Sequence, residues 1–390
     1  MSEQTLWILA IVLFFGLIVP QMFRRIQLPF ATALIVVGAV LGPNGINFIQ
    51  PDRTLEVFGF LGATFLMLLA GFEGRTLSIK EAGLNSKWWL VVLNTLVPFL
   101  TGTAVLKSFG YSWETSIFMG AVFISSSIML IFSTVNNLGL SKTKLGKTLK
   151  SLVVIDDLSS SMIIFILFKY ADPHERFPLP ILLGLLVSSV IILRMFLPEV
   201  IGYFFNKFEQ LKDEHEARIR LVMAILFMVL IIYSSLDVHP VIGAFLVGFI
   251  LSDIPHSGII KEKLNTIGYA LFIPMFLFIT GININPTALL ELTLKNYLPL
   301  VVIGTALASK IISGYTGSRL SGFTSGDSLI IGLTSSTKLT VTVSTAFAAL
   351  SLGLITNELY SVILIVTVIT TFINPLLIFT YIRKRPLVQV

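Results

Sequence analysis

Two adjacent aspartates, Asp156 and Asp157, stand near the middle of an apolar, helix-length run from Lys147 to Phe168. Four lysines, Lys142, Lys144, Lys147 and Lys150, crowd one end of that run. An ionisable side chain at bilayer depth costs about 3 kcal/mol on insertion scales, and ~10 or more in simulations, so a chain that carries two of them side by side uses them for more than packing. Neighbours on a helix point about 100° apart, so one carboxylate can face a partner while the other faces a cavity. Ser160 and Ser161 lie one turn beyond the pair. Burial opposes the charge of a carboxylate and a nearby cation favours it. A carboxylate balanced between the two can take up either a proton or a hard cation through oxygen. If one such site faces each side of a membrane in turn, and moves only when occupied, the two flows are coupled.

Two lysines are placed to take part. Lys310 follows about a dozen apolar or small residues in LPLVVIGTALASKIISGYTG, too deep to reach the outer surface easily. It is positioned to pair with a carboxylate; the alternative is a side chain that extends to the cytoplasmic end. Lys338 sits in a polar cluster with Ser335, Ser336, Thr337 and Thr340, and a second cluster, Ser125, Ser126 and Ser127, lies earlier in the chain. Serine and threonine inside membrane helices often bond only to their own backbone, but two clusters at matching positions point to interrupted helices. A cation at Lys338 can fill the place where two helix C-termini would otherwise face each other; whether it serves structure or transport is open at this level.

The elements that hold these residues are read from hydropathy. The 390-residue chain is 55% hydrophobic and 12% charged, against about 25% charged in soluble domains, so it is a polytopic membrane protein. Thirteen hydrophobic segments are expected, at about 5–23, 30–48, 55–72, 88–106, 113–138, 148–169, 179–205, 221–236, 240–252, 264–282, 297–317, 326–355 and 358–382. With the N-terminus outside, nineteen Lys and Arg fall on the cytoplasmic side and five outside. That asymmetry follows the positive-inside rule and requires an odd number of spans. The net charge of +6 therefore belongs to cytoplasmic loops and is no sign of nucleic acid.

The chain also repeats itself. FLMLLAGFEGRTLSIKE is matched by MFLFITGININPTALLE with Gly71 and Gly281 in register, and the two Ser/Thr clusters fall in GAVFISSSIMLIFSTVNNLG and GLTSSTKLTVTVSTAFAALSLG. The offset is seven segments, and an odd offset makes the halves inverted in the membrane. Gly38 and Gly42 form a small-xxx-small pair that permits close helix contact.

Other chemistries are excluded or disfavoured. There is no cysteine, and the four histidines show no HExxH spacing. An intramembrane aspartyl protease needs carboxylates on two separate helices, whereas these are adjacent and diverge.

The residues resemble bacterial monovalent cation/proton antiporters of the CPA2 type, including the NapA-like sodium/proton exchangers. The likeness is carried by Val-Val-Gly-Ala-Val-Leu-Gly-Pro at 36–43, Leu-Ala-Gly-Phe-Glu at 69–73, Ile-Gly-Ala-Phe-Leu-Val-Gly at 242–248 and Phe-Ile-Pro-Met-Phe-Leu-Phe at 272–278. Most specific is the Asp156-Asp157 pair combined with Lys310. The resemblance implies an all-α fold of about thirteen transmembrane helices in two inverted repeats with crossed broken helices. It implies that Asp157 is the cation and proton carrier, that Asp156 pairs with Lys310, and that Ser126 and Ser127 belong to the ion site in the first broken helix. It implies a dimerisation domain from residues 1–84 and 219–294, a core ion-transport domain from 85–170 and 295–390, and a linker at 171–218. An elevator movement of the core, a homodimer in the bacterial plasma membrane, no cofactor beyond the transported Na+ and H+, and electrogenic exchange of two protons for one sodium complete the expectation. Lys338 departs from the Arg-Gly-Glu-like sequence of many relatives. The potassium/proton branch carries Gln-Asp and a nucleotide-binding tail, so Asp156 favours sodium, with potassium exchange and a sodium-coupled organic-solute carrier as alternatives.

Overall fold

The structure, a computed structural model, describes residues 3–22, 30–74, 87–137, 139–140, 143–171, 179–210, 216–236, 240–252, 254 and 257–383. Most of these residues are helical, and no strand occurs among them. The first half contains α1 (Glu3–Met22), α2 (Phe30–Leu41), α3 (Arg53–Gly74), α4 (Trp88–Ser108), α5 (Trp113–Ile124), α6 (Ile128–Asn137) and α7 (Lys144–Ala171). A long helix, α8 (Leu179–Gln210), follows. The second half contains α9 (Ala217–Ser235), α10 (Pro240–Leu251), α11 (Ser257–Ile267), which passes through a π-helical turn at Gly268–Phe272 into α12 (Ile273–Ile282), then α13 (Pro286–Asn296), α14 (Leu298–Leu320), α15 (Ser325–Ser335), α16 (Thr340–Ser351) and α17 (Asn357–Arg383). Among the described residues, eight helical stretches are long and apolar enough to cross a membrane, and four shorter helices are apolar. The residues 286–296, expected as a loop, form α13.

The internal repeat is visible in the order and spacing of the elements. Helix α10 begins 210 residues after α2, and α14 begins 210 residues after α4. The pairings are exchanged between the halves: α2 packs on α12, and α10 packs on α3. Such an exchange is what a pseudo-two-fold axis produces.

Glycine makes these pairings close. A Cβ on Gly281 would lie 2.0 Å from the Ile35 carbonyl oxygen, and one on Gly38 would lie 2.1 Å from that of Phe278. In the other pair, a Cβ on Gly71 would lie 2.1 Å from the Phe245 oxygen, and one on Gly248 would lie 1.9 Å from that of Leu68. The register of Gly71 with Gly281 in the sequence thus marks one backbone contact made twice. Lipid tails are as apolar as leucine, so close backbone approach takes over the part that hydrophobic sorting plays in water. Large apolar side chains such as Leu17, Met195, Ile231 and Leu300 face outward. The four tryptophans, Trp7, Trp88, Trp89 and Trp113, are exposed near helix starts, as interfacial aromatic belts require.

A second set of helices surrounds the polar residues. Helix α4 packs on α5 and on α14, α14 packs on α15, and α7 packs on α5 and α6. Helices α5 and α15 open on matched caps: Ser112 accepts from Thr115 N at 3.2 Å, and Thr324 accepts from Asp327 N at 3.2 Å. Both stop halfway. Ser125 turns to an extended conformation (φ −56°, ψ 147°), and the chain becomes helical again at Ile128. In the second half the interruption runs from Ser336 to Leu339. Each falls in the Ser/Thr cluster expected to break its helix, where side-chain hydroxyls compete for backbone groups.

Candidate functional site

The site forms where the two interruptions cross under α7. Ser127 N donates to Thr337 O across the crossing at 2.8 Å, and Ser125 Oγ and Thr342 Oγ1 are 2.5 Å apart. Helix α7 runs past this point and delivers both aspartates to it, each wholly buried.

The two carboxylates are treated differently. Asp156 Oδ2 accepts from Lys310 Nζ at 2.8 Å, from Asn94 Nδ2 at 2.8 Å and from Ser126 Oγ at 2.9 Å. Lys310, also wholly buried, donates as well to Asn94 O at 2.9 Å. This carboxylate is a member of a buried ion pair, although its Oδ1 receives no hydrogen bond from any described residue, and removing either partner would strand a buried charge. Asp157 Oδ1 accepts from the backbone N–H of Ser126 at 2.9 Å. Its Oδ2 is buried and receives no hydrogen bond from any described residue. Asp157 therefore has a single neutral donor, no bonded cation, and an open acceptor.

Lys338 lies beside this pair and serves a different end. Its Nζ donates to Val122 O at 2.9 Å, to Phe123 O at 2.8 Å and to Ser125 O at 2.9 Å. These are carbonyls at the C-terminus of α5, where an α-helix leaves its last acceptors unpaired and carries partial negative charge. All three ammonium protons are used there. Lys338 was expected to fill the place where two helix C-termini would face each other; its ammonium meets the C-terminus of α5.

Ser126 and Ser127 part company. Ser126 is at the centre, with its N–H on Asp157 and its hydroxyl within reach of both Asp156 Oδ2 and Ser335 O, the latter at 2.6 Å. One hydroxyl proton serves two acceptors there. Ser127 instead places its hydroxyl 3.4 Å from Leu130 N, at the start of α6, and contacts neither carboxylate. Of the residues beyond the aspartates, Ser160 Oγ donates to Ala121 O at 2.8 Å, tying α7 to α5, and Ser161 Oγ has no partner among the described residues.

The residue that sequence reasoning missed is Asn94. It bridges the ion pair: its side-chain Nδ2 donates to Asp156, and its main-chain carbonyl accepts from Lys310. A lone amide in mid-helix of an apolar segment, four residues before Pro98, was the available signal. Asn374, in α17, is a second: it donates to Ser336 Oγ at 2.9 Å and Thr337 Oγ1 at 3.1 Å, supporting the second interruption.

The model of the family described as "Sodium/hydrogen exchanger, transmembrane" matches residues 9–384. The chain belongs to this family. Among its relatives is a protein of Methanocaldococcus jannaschii named probable Na(+)/H(+) antiporter 3. It is 29% identical over 380 residues, covering 96% of each chain. A Na(+)/H(+) antiporter of Enterococcus hirae is 25% identical over 378 residues, covering 97% of this chain and 98% of the relative. The solved structure of the sodium proton antiporter MjNhaP1 from Methanocaldococcus jannaschii superposes with a TM-score of 0.66 at 16% identity, covering 97% of this chain and 96% of that one. At that identity the likeness concerns the fold, and it extends over the whole exchanger-family region rather than over one half. The chain is thus a multi-pass membrane protein of a transporter family.

Proposed function

We propose that this chain is a secondary active Na+/H+ antiporter in which Asp157 carries cation and proton alternately. The observation that carries the reading is the unequal use of two buried carboxylates. Asp156 is held by Lys310, Asn94 and Ser126, whereas Asp157 has one backbone donor and an unbonded Oδ2. A buried carboxylate with no cation bonded to it gains most from whichever positive species enters, whether a proton or a hard monovalent ion. Asp156 Oδ1, also unbonded, is the second oxygen a cation would use. Lys310 and Lys338 offset the two negative charges, so an added cation or proton makes the site net positive unless another charge leaves. Competition between the two ions at one site is then enough to couple them.

The finer features follow from the same reading. Helices α4–α7 and α14–α17 act as the moving core, and α1–α3 with α9–α12 act as the glycine-packed scaffold through which two copies pair. Helix α8 links the two. The interrupted helices α5/α6 and α15/α16 each cross the membrane once, which with the other apolar helices makes thirteen crossings in two inverted halves. The N-terminus faces outward and the basic C-terminus faces the cytoplasm of a bacterial cell. The pair Asp156-Asp157 with Lys310 supports a reading of CPA2 type, in which exchange is electrogenic.

The test is proton movement in proteoliposomes of the purified chain driven by Na+, Li+, K+ or no added cation. Na+-driven movement is expected in the wild type, and its loss is expected in Asp157→Asn. Undiminished exchange in that variant would remove the assignment, and K+-driven movement without Na+ response would reassign the ion.

A further inference from the structure

Helix α4 contains a proline in its interior, Pro98. A proline has no N–H, so the carbonyl four residues earlier loses its intrahelical partner. In α4 that carbonyl is Asn94 O, and Asn94 O is where Lys310 Nζ donates at 2.9 Å. Prolines are tolerated in membrane helices when a neighbouring helix satisfies the freed group, and here the neighbour is α14. The side chain of the same Asn94 donates to Asp156 Oδ2, so one residue contacts both members of the ion pair. The helices also meet closely at this level. A Cβ on Gly314 of α14 would lie 3.2 Å from Asn94 Oδ1 and 2.9 Å from the Cα of Gly332.

We infer that Pro98 is a positioning residue for the Lys310–Asp156 pair: by removing the N–H that would occupy Asn94 O, it reserves that carbonyl for the lysine. The ammonium is then held between a carboxylate on α7 and a main-chain oxygen on α4, and Asp157 is left without a cation. This rests on the antiporter reading for its consequence in transport, but not for its geometry. The charged groups that act on Lys310 are Asp156, Asp157 and Lys338. Of the helices packed on α14, α4 carries Lys107 in its last turn, α13 carries Glu291 and Lys295, and α5, α15 and α17 carry Glu114, Asp327 and Glu358 in their first turns, all distant along their helices from the pair. Other helices with interior prolines include α8, with Pro198, and α17, with Pro375. Pro198 supplies the control for helix bending as such.

Two measurements on the full chain test the inference. The first is a thermal-unfolding cycle in detergent with Pro98→Ala, Lys310→Ala and the double variant. With the lysine gone, Asn94 O has no donor. Restoring an N–H at position 98 is therefore expected to raise the unfolding temperature more in the Lys310→Ala background than in the wild type. Equal changes in both backgrounds overturn the inference, and this readout needs no transport activity. The second is the pH profile of cation-driven proton movement. Pro98→Ala is expected to move its midpoint by about one pH unit, the scale of one hydrogen bond to a charged group, while Pro198→Ala leaves it in place. A Pro98→Ala profile superimposed on that of an active wild type also overturns the inference. A wild type that exchanges no cation for protons would instead count against the antiporter reading, with the thermal cycle still deciding the role of Pro98.

Discussion

The two helix interruptions occupy matching places in the two halves and present opposite chemistry. The first, at Ser125–Ser127, turns donors toward the aspartates: the Ser126 N–H to Asp157 and the Ser126 hydroxyl to Asp156. The second, at Ser336–Leu339, turns acceptors toward the first, with Thr337 O receiving Ser127 N, and it supplies the cation that closes α5. The backbone is duplicated, but the site is built from one interruption and braced by the other. Repetition gives a crossing of two half-helices; the side chains decide which half binds and which half holds.

The sharpest way to break this comparison is to remove the brace. Lys338→Ala removes the common donor of the Val122, Phe123 and Ser125 carbonyls at a buried helix end, and Val122 O alone keeps another, Ser125 Oγ. Each buried polar group left unpaired costs about 1–3 kcal/mol, and losing the charge at a helix C-terminus adds to this. A loss of about 3–5 kcal/mol in stability is expected, read as a large fall in unfolding temperature of the purified protein. Lys338→Arg keeps the charge and should recover part of that loss. If Lys338→Ala were as stable as the wild type and lacked only transport, the lysine would belong to the ion site and the division between the two interruptions would fail.

The second prediction probes the binding side. Ser126→Ala removes the hydroxyl shared by Asp156 and Ser335 O but keeps the N–H on Asp157. Asp156 retains Lys310 and Asn94, so the expected cost is about 1–2 kcal/mol, within the range for hydrogen bonds to a charged group. Cation-driven proton movement should persist with an altered pH dependence, measured in the same proteoliposomes. Complete loss of exchange would mean that the hydroxyl itself handles the ion.

How much of this was legible beforehand follows the same divide. Hydropathy and the internal repeat located the apolar helices and both interruptions, because a bilayer imposes long apolar runs and a Ser/Thr cluster inside one is conspicuous. Asp156, Asp157 and Lys310 were legible because charge in an apolar run is costly. Asn94 was not, because a neutral amide stands out less, and its role depends on a carbonyl that only the pairing of α4 with α14 brings to Lys310. The functions of Gly71 and Gly281 could be matched to each other but not to Phe245 and Ile35, since the sequence carries no record of which helix lies opposite. Helix α13 escaped because eleven residues of mixed polarity look like a loop to any hydropathy window.

The smallest effect is the most discriminating within the first interruption. Ser126 and Ser127 are neighbours of the same type, and the family resemblance assigns both to the ion site. The structure separates them, because leaving the helix at Ser125 turns successive residues to different sides. Ser127 is held by its backbone, through Thr337 O, and that bond survives a change of side chain. Its hydroxyl meets Leu130 N only at 3.4 Å, a long version of an N-cap contact whose removal ordinarily costs ~1 kcal/mol. Ser127→Ala is therefore expected to cost about 0.5 kcal/mol, at the weak end of the capping range, and to leave both the rate and the pH profile of exchange near those of the wild type. A Ser127→Ala variant as impaired in exchange as Ser126→Ala would return its hydroxyl to the ion site, and would mean that the turn at Ser125 rearranges when the cation enters.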